Sequence, residues 1–236
     1  MITAEDVEVL ERAARTELTI KPREKRWTHL SLCALDAVFS INAKYSRVVH
    51  VCYRYALHAS LPNPLMPAAK SNMVVGTVKE QRLDDFAQHV RMVGAQRFAA
   101  EVIANRGLTS TRGGILKAEA ALWYAMFLVK HGVQTIGDVA ELLGDDAHLG
   151  GVEADLAMVR GHGSGARLSY LWMLAGDDQH VKPDRMVLRW IALHLGPVNV
   201  DEAREIVMLT AERLGCTPWE LDHAIWRAKP RRPMHG

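Results

Sequence analysis

Apolar residues recur every three or four positions along most of the chain, and this spacing matches one face of an α-helix. The pattern predicts helices in segments such as 5–18, 28–41, 44–59 and 95–107. It is clearest in 113–132, where Gly132 ends the apolar period. In total it indicates about eleven helices and no alternating strand. We therefore expect an all-α fold.

Helix-start signals support several of these assignments. Thr3 and Asp6 stand three residues apart before the first helix, and Thr217 and Glu220 have the same spacing around Pro218. Both arrangements are typical of a capping box, in which each side chain binds a free backbone N–H of the first turn. Asp184 stands between Pro183 and an apolar-periodic helix, where a carboxylate can act as an N-cap.

One long segment lacks helical periodicity. Residues 60–76 contain Pro62, Pro64 and Pro67, which disfavour regular structure. Loops of this length are uncommon within compact domains and are often functional. We therefore expect an irregular segment here.

Composition limits the class of protein without selecting a partner. The chain has 236 residues, of which 49% are hydrophobic, and its formal net charge is +2. This content is sufficient for a large core and argues against disorder. Basic runs at 21–26 and 227–233 suit a polyanion, although solvated tails are commoner.

The same data argue against metals, cofactors and membrane insertion. The three cysteines are too widely spaced for a zinc site or an iron–sulfur cluster, and the histidines form no metal-binding motif. The N-terminus has no signal-peptide core, and no apolar run reaches the length of a membrane span. We expect a cytoplasmic protein without a metal or cofactor.

The segment "RGHGSGARLSYLWML", residues 160–174, carries three alternating glycines before a helix. A dinucleotide-binding loop would require a preceding strand, but the preceding pattern is helical, and the lysine of a P-loop is absent. Two interpretations remain. The segment is either a glycine hairpin whose backbone N–H groups bind phosphate or a close-packed turn between helices.

Together with Asp184 downstream, this segment resembles the helix-hairpin-helix (HhH-GPD) DNA glycosylase superfamily, whose members carry a glycine hairpin, a helix and then an aspartate that opens the next helix. Two alignments are open. Either Val159, Gly161 and Gly163 form the hairpin, or Gly163 and Gly165 occupy the glycine positions, with Ser169 as the small residue in the second helix. His162 or Ser164 departs from the apolar residue that the family places between the glycines.

The resemblance extends to two further segments. Residues 32–48 look like the family's early buried helix and the polar turn that follows it, with Asn42 where relatives fill the gap left by an extruded base. Residues 115–129 look like the family helix with a Lys-Ala motif. The resemblance implies that the residues contacting DNA are Asn42, Lys44, Arg47, Gly161, Gly163, Ser164, Gly165, Arg167 and Arg185. It implies that the base pocket draws on Tyr45, Lys117, Tyr124 and Tyr170.

The resemblance also implies an architecture and a reaction. It suggests two helical lobes, 28–175 and 1–27 plus 176–236, with a DNA-binding cleft between them. Asp184 would be the catalytic carboxylate that stabilises the positively charged sugar during cleavage of the N-glycosidic bond. The family's nucleophilic lysine is replaced by Gly165 or Arg167, depending on the alignment. This implies a monofunctional enzyme that leaves an abasic site, without an iron–sulfur cluster.

The implied partner is double-stranded DNA with a flipped damaged or modified base, bound by a monomer associated with the nucleoid. The role would be base excision repair or the excision of modified bases from phage DNA. Alkylated purines, an oxidised base and a bulky modified cytosine all remain open as substrates. Two other interpretations are a non-catalytic helix-hairpin-helix DNA-binding protein and a helical scaffold that does not bind nucleic acid.

Overall fold

The computed structural model describes residues 2–41, 43–68, 79–160 and 166–228, without the side chains of residues 166 and 167. The described chain is predominantly helical and divides into two compact units. The first unit contains the described residues up to Arg23 and from Asp178 onward, and the second contains those from Glu24 to Asp177. The boundaries expected from the sequence, 27/28 and 175/176, both fall inside the second unit.

The second unit is built around one buried helix. Its described helices are α2 (Leu30–Phe39), α3 (Tyr45–His58), α4 (Leu83–Val93), α5 (Ala95–Arg97), α6 (Lys117–Lys130), α7 (Ile136–Leu142), α8 (Asp146–Ala157) and α9 (Ala166–Ala175). Helix α2 packs against α3, α6 and α9, and all ten of its residues are buried. This explains why its sequence is apolar on every face.

The helix expected over 95–107 ends early. Helix α5 continues into a π-helical turn, Phe98–Val102, and Ala104 then adopts a left-handed φ of 49°. Arg54 of α3 donates to the carbonyl oxygens of Glu101 and Val102, at 3.3 and 3.1 Å, and so satisfies the end of the turn. The chain is then free to form an irregular loop, residues 105–116, which we call the 105–116 loop.

The structure contains a small sheet that the sequence did not predict. Strand β1 (Lys25–Trp27) pairs antiparallel with β2 (Leu65–Pro67), and Arg26 lies opposite Met66. The expectation of irregular structure throughout 60–76 is therefore wrong for Leu65–Pro67, while 69–76 lie outside the described residues. Proline is tolerated here because a two-stranded sheet leaves each strand an unpaired edge. In addition, the Pro64 carbonyl accepts the N–H of Thr28 at 3.2 Å.

A polar network joins the start of α2 to the segment before α4. The Glu80 carboxylate accepts from the N–H of Leu30 at 2.9 Å and of Ile136 at 3.0 Å, so it caps both α2 and α7. Burial raises the pKa of Glu80 to about 7. His29 bridges the Pro62 carbonyl and the Gln81 N–H, and burial lowers its pKa. These bonds hold Pro62, Glu80 and Gln81 to the start of α2.

The first unit combines the first helix of the described residues with their last three helices. Its helices are α1 (Ala4–Glu17), α10 (Arg185–Leu195), α11 (Val200–Leu214) and α12 (Pro218–Arg227). Helix α1 packs on α10 and α11, while α12 packs on α10 and α11. The capping boxes expected at Thr3–Asp6 and Thr217–Glu220 are confirmed, and Asp184 caps α10. No helix of the described residues is long and apolar enough to cross a membrane.

Candidate functional site

Asp184 is held in place by one of its two carboxylate oxygens. Oδ1 accepts from the N–H groups of Met186 at 2.7 Å and Val187 at 3.3 Å, the free donors of the first turn of α10. No donor among the described residues binds Oδ2. The side chain is half-buried, and Arg185 beside it is exposed. The helix therefore orients the carboxylate through one oxygen, and the part of the chain that the structure describes leaves the other oxygen for another molecule.

Helix α12 supports the segment that leads to Asp184. The N–H of Trp219 donates to the Asp178 carbonyl at 3.1 Å, and the Asp222 carboxylate accepts from the N–H of Lys182 at 2.7 Å. The Lys182 carbonyl in turn accepts from the N–H of Asp184 at 2.6 Å. Burial and the nearby Asp184 raise the pKa of Asp222 to about 7. A second carboxylate, that of Asp222, therefore supports the turn that positions the candidate catalytic residue.

The second unit contains a polar cavity of about 350 Å³ beside the turn that follows α2. Its lining combines that turn, the start of α3 and the 105–116 loop. Three cations line it, Lys44, Arg47 and Lys117, and none of the described lining residues is acidic. The full lining is Phe39, Ile41, Ala43, Lys44, Arg47, Val48, Asn105, Gly107, Leu108, Thr109, Ser110, Thr111 and Lys117. Such a surface favours an anion.

The 105–116 loop connects this cavity to the start of the glycine segment. The Thr109 hydroxyl donates to the Arg160 carbonyl at 3.0 Å and accepts from the N–H of Ile115 at 3.2 Å. Gly114 lets the loop close, because a Cβ there would collide with the backbone of Ser110. One buried hydroxyl therefore links the cavity wall to the residue just before Gly161.

Lys117 is buried, with only 6% of its surface exposed, at the first position of α6. Its Nζ donates to the carbonyls of Phe39 at 3.0 Å and Ile41 at 2.6 Å. These are free acceptors at the end of α2, where a cation also interacts favourably with the helix dipole. Lys117 therefore fixes the turn that leads to Asn42, while its side chain lines the cavity.

Tyr45 and Tyr170, both expected in a base pocket, meet at a buried carboxylate. Asp36, which is 0% exposed, accepts from Trp27 Nε1 at 2.8 Å, Ser40 Oγ at 2.9 Å and the Tyr45 hydroxyl at 3.4 Å. Tyr170 is hydrogen-bonded to Ser40 and Asp36, and burial raises its pKa. Tyr45 keeps 41% of its surface exposed, so Asp36 orients a ring that other molecules can reach.

The remaining site residues are distributed differently from the sequence expectation. Tyr124 is 0% exposed and belongs to the apolar core of the second unit, so we assign it to packing. Lys44 and Arg47 are exposed at the start of α3. Asn42 and the hairpin residues Gly161, Gly163, Ser164 and Gly165 lie outside the described residues, as does the side chain of Arg167.

Sequence reasoning missed two buried carboxylates, Asp36, which binds Tyr45, and Asp222, which supports the segment that carries Asp184. Asp36 is the one charged residue in the apolar run 30–39, and Asp222 falls between buried Leu221 and Ala224 on the packed face of α12. A charged residue at an apolar position is the signal that could have identified both, because such groups are rarely buried without a partner. Among the described residues, no group of three or more His, Cys, Asp or Glu could hold a metal ion.

The geometry thus defines a predominantly helical protein with a capped carboxylate in one unit and a basic, polar cavity in the other. The chain belongs to a family described as a domain of unknown function (DUF8548), whose model matches residues 5–230. No curated protein and no solved structure matches the chain.

Proposed function

We propose that the protein is a monofunctional DNA glycosylase that hydrolyses the N-glycosidic bond of a flipped damaged or modified base. The observation that carries the proposal is the geometry of Asp184, whose Oδ1 is bound to two backbone amides while no donor among the described residues binds Oδ2. We further propose that the two compact units correspond to the two lobes of the helix-hairpin-helix glycosylase fold.

The anchored carboxylate suits this reaction for a physical reason. Cleavage of the bond builds positive charge on the deoxyribose, and a negative group fixed in advance stabilises that charge without having to reorganise. Oδ2 can also orient or deprotonate the attacking water. Capping and catalysis are compatible here because they use different oxygens of Asp184.

The cavity of the second unit supports DNA as the partner. Lys44 and Arg47 are exposed at its rim, and its described lining contains hydroxyl and amide groups but no carboxylate. Phosphates are bound mainly by such cations and polar groups, and this contact fixes the position of a protein on DNA. The turn held by Lys117 leads to Asn42, which would fill the gap left by the extruded base.

A non-catalytic DNA-binding protein is the second candidate. The observation that favours it is that the cation-lined cavity has no acidic residue among its described lining. The cavity can therefore bind an anion such as DNA phosphate, but its described lining offers no carboxylate for catalysis. Such a protein would bind DNA without releasing a base.

Release of free bases separates these two functions. The purified protein would be incubated with DNAs carrying alkylated purines, oxidised bases or bulky modified cytosines, including phage DNA. We expect a free base to be detected by mass spectrometry, with abasic sites forming in equal amount and no strand cleavage. Binding to these DNAs without any released base would support the second candidate instead.

The cavity cations provide a test of DNA binding. We expect the double variant Lys44→Ala/Arg47→Ala to flatten the plot of log affinity against log salt concentration by about 2, since each lost phosphate contact changes the slope by about 0.9. Fluorescence anisotropy on a labelled duplex at several salt concentrations measures this slope.

A matched control removes two cations from elsewhere in the same unit. Arg82→Ala/Arg97→Ala causes the same change in net charge, and both side chains are largely exposed and lie outside the cavity lining. We expect this control to leave the slope close to that of the wild type. Equal slopes for the two double variants would contradict a specific role for the cavity.

A further inference from the structure

The segment that carries Asp184 is fixed at two points by hydrogen bonds to α12. At its start, Asp178 accepts from Trp219 through its carbonyl and forms an ion pair with Arg23 at 2.9 Å. Arg23 also lies over the Trp219 ring, 4.0 Å from its centroid. Near its end, the N–H of Lys182 donates to Asp222. The position of Asp184 therefore depends on α12.

Hydrogen bonds and the backbone of residues 182–184 together link the two carboxylates. Asp222 Oδ2 accepts from Lys182 N at 2.7 Å, the Lys182 carbonyl accepts from Asp184 N at 2.6 Å, and Asp184 Oδ1 accepts from Met186 N at 2.7 Å. Pro183, which has a fixed φ and no N–H, is the central residue of the Lys182–Asp184 turn. A change at Asp222 is therefore transmitted to Asp184 through one rigid turn.

We propose that Asp222 is a positioning residue for Asp184, and that the protonation state of Asp222 couples the geometry at Asp184 and the charge beside it to pH. This inference rests on the proposed function where it concerns base release. It goes further by assigning a role to a buried carboxylate that no contact with substrate explains. Asp222 is 6% exposed and acts through the Lys182 turn rather than on DNA.

The charged groups that act on Asp222 come from the supported segment and from the start of α10. Asp184 raises the pKa of Asp222 and Lys182 lowers it, while burial has the largest effect and raises the pKa from 3.8 to about 7. The buried face of α11, which also packs on α12, is apolar apart from Thr210. Asp222 therefore gains its charge between about pH 6 and pH 8.

The negative charge on Asp222 favours base release in two ways. A hydrogen bond to a charged acceptor is roughly twice as strong as one to a neutral acceptor, so the ionised form holds the Lys182 turn more firmly. It also adds negative charge near the site where the sugar becomes positive. We expect the rate of base release to rise about three- to tenfold from pH 6 to pH 8.

Asp222→Asn is the informative variant, because the amide oxygen can still accept the Lys182 N–H but cannot ionise. We expect its base release at pH 6 to lie within about threefold of the wild type, with no rise towards pH 8. Asp222→Ala removes the acceptor altogether and should lower release about tenfold or more at both pH values, because small misplacements of catalytic groups are costly. A rise identical to that of the wild type in Asp222→Asn would overturn the coupling.

A second measurement does not depend on activity. In NMR titrations of the wild type, we expect the amide resonances of Lys182 and Asp184 to shift with a midpoint near pH 7, and we expect this shift to be absent in Asp222→Asn. Amides that do not respond to pH between 6 and 8 would overturn the proposal. If the wild type releases no base from any DNA but these amides titrate as expected, the glycosylase function fails and the link between Asp222 and Asp184 stands.

The pH dependence of the free energy of unfolding provides another test of the titration of Asp222. Because the pKa of Asp222 is higher in the folded state than in the unfolded state, the protonated form favours folding. Its contribution to stability is present below about pH 4 and is lost as the pH rises through 7. The stability of the wild type relative to Asp222→Asn should fall over this range, and a constant difference would contradict the assignment.

Discussion

Replacing Asp184 with asparagine should reduce base release about 1,000-fold or more while leaving DNA binding and folding nearly unchanged. The amide oxygen of the introduced side chain can still accept from Met186 and Val187, and asparagine is as good an N-cap as aspartate. The loss is therefore electrostatic, because the variant lacks the negative charge that stabilises the sugar cation. Single-turnover release measured by mass spectrometry reports the rate, and anisotropy reports the affinity for duplex DNA.

Asp145 provides a matched control for this experiment. It caps α8 in the same way, accepting from the N–H of His148 at 3.0 Å, but it is exposed and lies in the other unit. Asp145→Asn should release bases at the wild-type rate. Base release by Asp184→Asn within about threefold of the wild type would remove Asp184 from the catalytic step.

The largest loss of stability is expected from Lys117→Met. This change keeps most of the volume of the side chain but removes the donor for the buried carbonyl of Phe39 and the half-buried carbonyl of Ile41. An unsatisfied buried polar group costs about 1–3 kcal/mol, so the two together should lower the free energy of unfolding by about 2–4 kcal/mol. Urea unfolding followed by far-UV circular dichroism measures the change.

Lys130 stands at the opposite end of the same helix and serves as the control. Its side chain is 64% exposed and forms an ion pair with Asp155 at 2.7 Å. Exposed pairs contribute about 1 kcal/mol or less, so Lys130→Met should have little effect. Similar losses in the two variants would indicate that the bonds from Lys117 to the end of α2 contribute little to stability.

The helices could be predicted because their signals are local. Periodicity located them within a few residues, and the side chains at Thr3, Thr217 and Asp184 correctly marked helix starts. The prediction was wrong where distant contacts decide the outcome. The helix expected over 95–107 ends at Val102, where Arg54 satisfies the free carbonyls, and β2 forms because β1 lies beside it.

The candidate site was only partly accessible to sequence reasoning. The N-cap geometry at Asp184 follows from its place before an apolar helix, but its support by Asp222 joins residues 40 positions apart through Lys182. The same limit applies to Tyr45 and Tyr170, since the sequence does not show that they share Asp36. Tyr124 is a residue type that can line a base pocket, yet the packing of α6 buries it completely. Convergence of side chains depends on tertiary structure.

The composition of the first unit has a consequence for how the chain folds during synthesis. Helix α1 packs against α11, and Arg213 binds Glu11 across 202 positions of sequence at 2.7 Å. The apolar face of α1 therefore has no partner in its own unit until the ribosome has made α10 and α11. The second unit, whose described elements lie between Glu24 and Asp177, can form earlier. We therefore expect nascent chains to acquire the cavity before they acquire a correctly placed Asp184.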